Sequence, residues 1–161
     1  MSHAVIAFGR MNPPTTGHEK MIHAVHKEAK RVGGHAEVIA SHSQDKKKNP
    51  VPQDKKMGYL KKVAPKGVKV TAASKEHPTV FHHAARLHAA GHEHLTVMSD
   101  KSESWGKALK ANNGKKGQHG HYNFKSITFR QVMDGRHITR LTSKMNGYYN
   151  FWQFSQFFCM N

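Results

Sequence analysis

Cysteine is nearly absent, and the single Cys159 cannot close an internal disulfide, so the sequence carries no mark of an oxidising compartment. Long apolar runs are missing as well. The longest stretches, such as Ala4 to Phe8, fall far short of the roughly 20 residues needed to cross a bilayer, and Met1-Ser2-His3 opens no secretory signal. The expectation is a soluble cytoplasmic protein with no membrane partner. Acidic residues are scarce too: 10 Asp and Glu stand against 26 Lys and Arg, which leaves +16 before any of the 15 histidines takes a proton. Such a surplus says nothing about fold, but it draws polyanions, and nucleotides, nucleic acid or an anionic assembly are the partner classes it admits.

What is present suits one domain. A chain of 161 residues with 37% hydrophobic content can bury a modest core without staples, which excludes wholesale disorder. The apolar run Ala4 to Phe8, closed by Gly9, reads as a buried strand. From Gly17, Met21, Ile22, Val25 and Ala29 recur at helical spacing until Gly33-Gly34 stops them. A second strand is expected over Ala36 to Ala40, then a long polar loop, Ser41 to Gln53, and a short basic helix carrying Met57, Leu60 and Val63. Further strands are expected over Val68 to Ala72, His94 to Met98 and Ser126 to Val132, and further helices over Thr79 to Ala90 and around Trp105 and Leu109, with Asn112 to Gly120 a surface loop. This alternation predicts an α/β fold, Rossmann-like, with a mostly parallel five-stranded sheet and helices on both faces. Ligands of such folds sit beyond the carboxyl ends of the strands.

Chemistry concentrates in Phe8-Gly9-Arg10-Met11-Asn12-Pro13-Pro14-Thr15-Thr16-Gly17-His18, where the first strand gives way to the first helix. A helix start offers unpaired N–H groups and a positive dipole end, Gly17 permits close backbone approach, and Thr15 and His18 add directed donors. Two readings fit these residues alone: a phosphate site, or a plain strand-to-helix turn capped by a threonine.

Thr15-Thr16-Gly17-His18 resembles the (His/Thr)-x-Gly-His signature of the nucleotidyltransferase superfamily of cytidylyltransferases and adenylyltransferases, and Gly9-Arg10-Met11-Asn12-Pro13-Pro14 resembles its Gly-Arg-Phe-Asn-Pro-Pro lead-in. The resemblance, which is nearest to short nucleotidyltransferases of tailed phages, covers roughly residues 3 to 147 and matches poorly after Val132. It implies transfer of AMP or CMP from a nucleoside triphosphate, carried with Mg2+, to a small phosphate-bearing acceptor with release of pyrophosphate. It also implies His18 and Thr15 as catalytic residues on the triphosphate, with Gly9, Arg10, Asn12, Thr16 and Gly17 in the nucleotide site. The loop after the second strand is similar to the group's lysine-bearing loop, which implies that Lys46, Lys47 and Lys48 face phosphates, Lys47 as a catalytic residue. Val97-Met98-Ser99-Asp100-Lys101 resembles the group's Gly-Ser-Asp-Arg turn, which implies Asp100 as a nucleotide-positioning residue. Thr142, Ser143 and Lys144 stand in the family's last phosphate-binding element, but Asn146 occupies the place of an Arg whose bidentate fork Asn cannot reproduce. If the chain is phage-encoded, the compartment is the host cytoplasm.

Three other features bear on function. The segment 148–161, beyond a nucleotidyltransferase-like domain of residues 1–147, crowds Tyr148, Tyr149, Phe151, Trp152, Phe154, Phe157 and Phe158 together and is expected to pack on the domain or form an oligomer contact. His82-His83, His88 with His92, and His119-Gly120-His121 have spacings that metals can use, yet no Cys lies near them and the expectation is a basic surface with no metal site. Lysines from Lys46 to Lys69 form a candidate phosphate-tracking stripe, which keeps open an alternative in which a catalytically weakened or inactive fold acts as a nonspecific nucleic-acid-binding or virion-associated protein.

Overall fold

The computed structural model describes residues 2–132 apart from 44, 100, 101 and 119, and for 102–105 the backbone alone. The expected Asp100, Thr142, Ser143 and Lys144, and the aromatic segment 148–161, lie outside the described residues. β1 (His3–Gly9) leads into α1 (Thr16–Val32), β2 (His35–Ala40), α2 (Gln53–Val63), β3 (Val68–Ala72), α3 (Val80–Ala89), β4 (His94–Ser99) and α4 (Ser102–Ala111). A two-residue hairpin, β5 (Lys116–Gly117) and β6 (Gly120–His121), sits where the sequence suggested only a loop, and β7 (Ser126–Gln131) follows it.

Five strands form one all-parallel sheet in the order β3-β2-β1-β4-β7. This is the Rossmann-like α/β arrangement the alternating pattern predicts. Ala4, Val5, Ile6 and Ala7 of β1 are wholly buried because the central strand has helices on both sides, which is why it reads as a continuous apolar run. Ala4 and Ile6 join Ile39, Leu95, Val97, Leu87 of α3 and Leu109 of α4 in one core layer. Val5 and Ala7 join Val38, Met21, Ile22 and Val25 of α1 and Leu60 of α2 in the other. Thus α1 and α2 cover one face, and α3 and α4 cover its opposite. Among the described residues no helix is long and apolar enough to cross a membrane.

Helix α1 ends at Gly33, whose φ of 66° is left-handed, and the N–H of Gly34 returns to the Ala29 carbonyl at 2.9 Å. Gly34 meets the sheet so closely that a Cβ there would lie 2.5 Å from the carbonyl oxygen of His3. The turn from α1 into β2 is therefore built around the absence of a side chain.

One charged cluster is buried between sheet and helix. Glu37, in the middle of β2 and fully buried, accepts hydrogen bonds from Thr71 Oγ1 at 2.5 Å, Arg86 at 2.6 Å and His35 Nε2 at 2.9 Å. Burial alone would raise its pKa, but the hydrogen bonds from Thr71, His35 and Arg86 and the Arg86 charge outweigh it and hold the carboxyl below its ordinary value. Arg86 also donates to Nδ1 of His83 at 3.3 Å, and His83 is itself buried. So His83 belongs to the interior, unlike the basic histidine surface its neighbours suggested. His88 packs on the ring of Phe124, with centroids 5.5 Å apart.

Candidate functional site

The strand order reverses at β1: β2 and β3 lie on one side, β4 and β7 on the other. The crevice at the carboxyl ends of β1 and β4 is thus the topological switch point where α/β sheets take ligands. The start of α1 faces this region because it follows β1 after a short loop.

Thr15 is the N-cap of α1, with extended backbone at φ −129° and ψ 167°. Its N–H donates to Nδ1 of His18 at 3.0 Å, and its hydroxyl lies 2.9 Å from the same nitrogen. An Nδ1 that accepts from a backbone N–H leaves Nε2 to carry the proton in the neutral ring, so His18 presents a donor there. Thr16, Gly17 and Thr15 are exposed and His18 is half-buried. The N–H groups of Thr16 and Gly17 lie in the first turn, where the helix itself supplies no acceptor.

The threonine–histidine contact recurs at α3, where Thr79 Oγ1 lies 2.8 Å from Nδ1 of His82. A Thr-x-x-His unit is therefore a helix-start device in this fold, and it does not by itself mark a site. What distinguishes the two starts is the pair of residues between. At α3 they are Val80, buried, and Phe81, packed against the core. At α1 they are Thr16 and Gly17, both exposed. Gly17 has no structural need to be glycine: an added Cβ would make only an ordinary contact, 3.6 Å from Thr15 Oγ1. Of these two starts, the one at α1 leaves its backbone open to a ligand.

The lead-in residues divide into those that face outward and those that hold the loop. Arg10 is exposed, whereas Met11 turns inward at φ 46° and is buried beneath the α1 face of the sheet. A non-glycine residue in that conformation is strained, and here core burial of its side chain fixes the turn. Asn12 spends its side chain on structure: its Nδ2 donates to the Val51 carbonyl at 2.8 Å and its Oδ1 accepts the Val51 N–H at 2.9 Å. These two bonds clamp the β1–α1 loop onto the loop after β2. Gly9 accepts the N–H of Ser41 at 2.8 Å, a second tie between the two loops.

The loop after β2 is a stapled turn. The Asp45 carboxylate accepts the N–H groups of Lys48 at 2.6 Å and Lys47 at 3.0 Å and the side-chain amide of Asn49 at 2.6 Å. The Lys48 N–H and the Asn49 amide hold the Asp45 carboxyl below its ordinary pKa. Lys46, Lys47 and Lys48 stand exposed at the tip. Structure thus brings Gly9, Arg10, Asn12 and Thr15 to His18 together with the lysine loop through the Asn12 clamp.

Sequence reasoning missed Lys56. It reads as one of several surface lysines of α2, but it is fully buried, and its Nζ donates to the carbonyls of Ser41 at 2.7 Å and Arg10 at 3.0 Å. Burial lowers its pKa. The available signal was its spacing: Lys56 lies one turn before the buried Leu60, on the helix face that meets the sheet.

Among the described residues no group of three His, Cys, Asp or Glu is placed to hold a metal. A hollow of about 520 Å³ lined by Ser2, His3, Val32, Glu93 and His94 lies at the amino ends of β1 and β4, the pole away from the α1 start. The chain matches no protein-family model and no curated protein.

Proposed function

We propose that the protein is a nucleotidyltransferase that moves AMP or CMP from a nucleoside triphosphate onto a small phosphate-bearing acceptor. The carrying observation is the open start of α1: an exposed Thr16-Gly17 pair over a Thr15–His18 cap, at the switch point of a parallel sheet. The α1 dipole and the first-turn N–H groups attract the phosphates, and Nε2 of His18 donates to an oxygen that gains charge as the reaction proceeds. An acceptor phosphate oxygen attacks the α-phosphorus in line, the bond from the α-phosphorus to the bridging oxygen breaks, and pyrophosphate leaves with the electron pair. A phosphate dianion needs no proton removed. Magnesium enters as part of the substrate, bound to the triphosphate. The exposed Lys46, Lys47 and Lys48 supply positive charge beside this path.

A second reading has its own support. Lys55, Lys61, Lys62, Lys66 and Lys69 are exposed along α2 and β3, continuing the charge of the 46–48 loop, and such a surface suits nonspecific nucleic-acid binding. Lys56 is excluded from that stripe by its burial.

Thermal stability with ATP, CTP and GTP, each with magnesium at matched ionic strength, tests the two for the wild type and His18→Ala. A nucleotide-selective rise in Tm that the variant loses supports the enzyme, and pyrophosphate release then identifies the acceptor. Equal shifts in both proteins with every polyanion would overturn it in favour of the charged surface.

A further inference from the structure

The proposed chemistry leaves one buried cation without a task. Lys56 has no exposed surface, and burial is the cause of its lowered pKa, with no carboxylate acting on it. An ammonium in such a place is costly unless its protons find acceptors, and a Leu or Met would fill the same helix face without that cost. Two of its three N–H groups are committed to main-chain carbonyls, those of Arg10 at 3.0 Å and Ser41 at 2.7 Å.

Those carbonyls belong to different loops. Arg10 begins the segment that ends in Thr15 and His18, and Ser41 begins the loop that carries Lys46, Lys47 and Lys48. The Asn12–Val51 clamp joins the same loops farther along, and the Ser41 N–H to Gly9 bond joins them at the strand ends. Lys56 lies beneath both and is the only one of these ties made by a side chain from outside the two loops.

We infer that Lys56 is a positioning residue for the anion site, holding the β1–α1 loop against the β2–α2 loop so that His18 and the exposed lysines act on one ligand. The role rests on the function proposed above. A neutral side chain keeps the helix packed but removes the ammonium that holds both carbonyls at once, and the two loops loosen against each other although the Asn12–Val51 and Gly9–Ser41 bonds remain. The effect falls on the site and not on the fold.

The test uses the full chain, with Lys56→Met and Lys56→Gln compared with the wild type and His18→Ala. Inorganic tripolyphosphate affinity is measured by calorimetry, and amide hydrogen exchange is followed over residues 9–18 and 41–51. Both Lys56 variants are expected to unfold cooperatively, to exchange faster in both loops together, and to bind tripolyphosphate at least tenfold more weakly. His18→Ala is expected to lose affinity with loop exchange unchanged. Wild-type exchange in both loops of the Lys56 variants would overturn the inference, as would faster exchange in one loop alone. Loss of cooperative unfolding in both variants would also overturn it, since Lys56 would then be a residue of the core. If the wild type bound no tripolyphosphate, the anion site itself would fail, and the exchange data would still decide whether Lys56 ties the loops.

Discussion

The guanidinium of Arg86 on α3 donates to the Glu37 carboxylate on β2 at 2.6 Å, joining a half-exposed cation to an acid with no exposed surface. Removing the cation leaves the acid buried with two remaining donors, Thr71 and His35. Arg86→Met is expected to cost about 2 kcal/mol in urea unfolding, the usual scale for a hydrogen bond to a charged group. Since Glu37 has its pKa held below 4.5 in the folded state, its contribution is present above that pH and fades as pH falls through the folded value. The Arg86→Met variant should therefore lose less stability than the wild type on acidification below 4.5.

His83 should resist protonation. Burial, with the charge of Arg86, lowers its pKa from 6.5 to about 4. Between those values the unfolded chain takes up a proton that the folded chain refuses, so stability falls as pH drops from 6.5 towards 4, by about 3 kcal/mol in all. An NMR titration of the His83 ring checks the cause directly, and a midpoint near 6.5 would contradict it.

Gly17→Ala should separate stability from binding. Alanine suits a helix better by about 0.5–1 kcal/mol. The added methyl meets only Thr15 Oγ1 at 3.6 Å, so Tm should rise. If phosphates approach the backbone here, the same methyl stands in their path, and ATP affinity should drop at least tenfold. A stabilised variant that binds ATP normally would remove Gly17 from the site.

Gly34→Ala should do the opposite. Its Cβ would lie 2.5 Å from the His3 carbonyl oxygen, which only movement of α1 or β1 can relieve. A loss of about 1–3 kcal/mol is expected in urea unfolding.

The sheet and helices were legible because each buried element carries its own periodicity: Ala4 to Phe8 as a doubly covered strand, Met21 to Ala29 as a helix face. The start of α1 was legible from Thr15 to His18, together with its two readings as a phosphate site or a plain capped turn, but the second threonine–histidine pair was not. That Thr79 and His82 make a similar side-chain contact depends on where α3 begins, to within a single residue, and periodicity does not fix helix ends so closely. The clamp made by Asn12 and the burial of Lys56 were not legible for a shared reason: their partners are backbone groups of Val51, Ser41 and Arg10, and backbone groups leave no trace in side-chain patterns. Glu37 was readable in principle, as an acid set in the apolar strand Ala36 to Ala40, yet its partner Arg86 lies 49 residues away.

The central place of β1 in the order β3-β2-β1-β4-β7 also sets a timetable during synthesis. One edge of β1 can pair with β2 as soon as the first forty or so residues have left the ribosome, but the other waits for His94 to Ser99. Until then the nascent chain carries an apolar strand with an unpaired edge, the kind of surface that invites chaperones or aggregation. The switch point between β1 and β4 forms only when that pairing is made, so a ribosome-bound chain stalled before residue 94 has the start of α1 but not the second strand beside it.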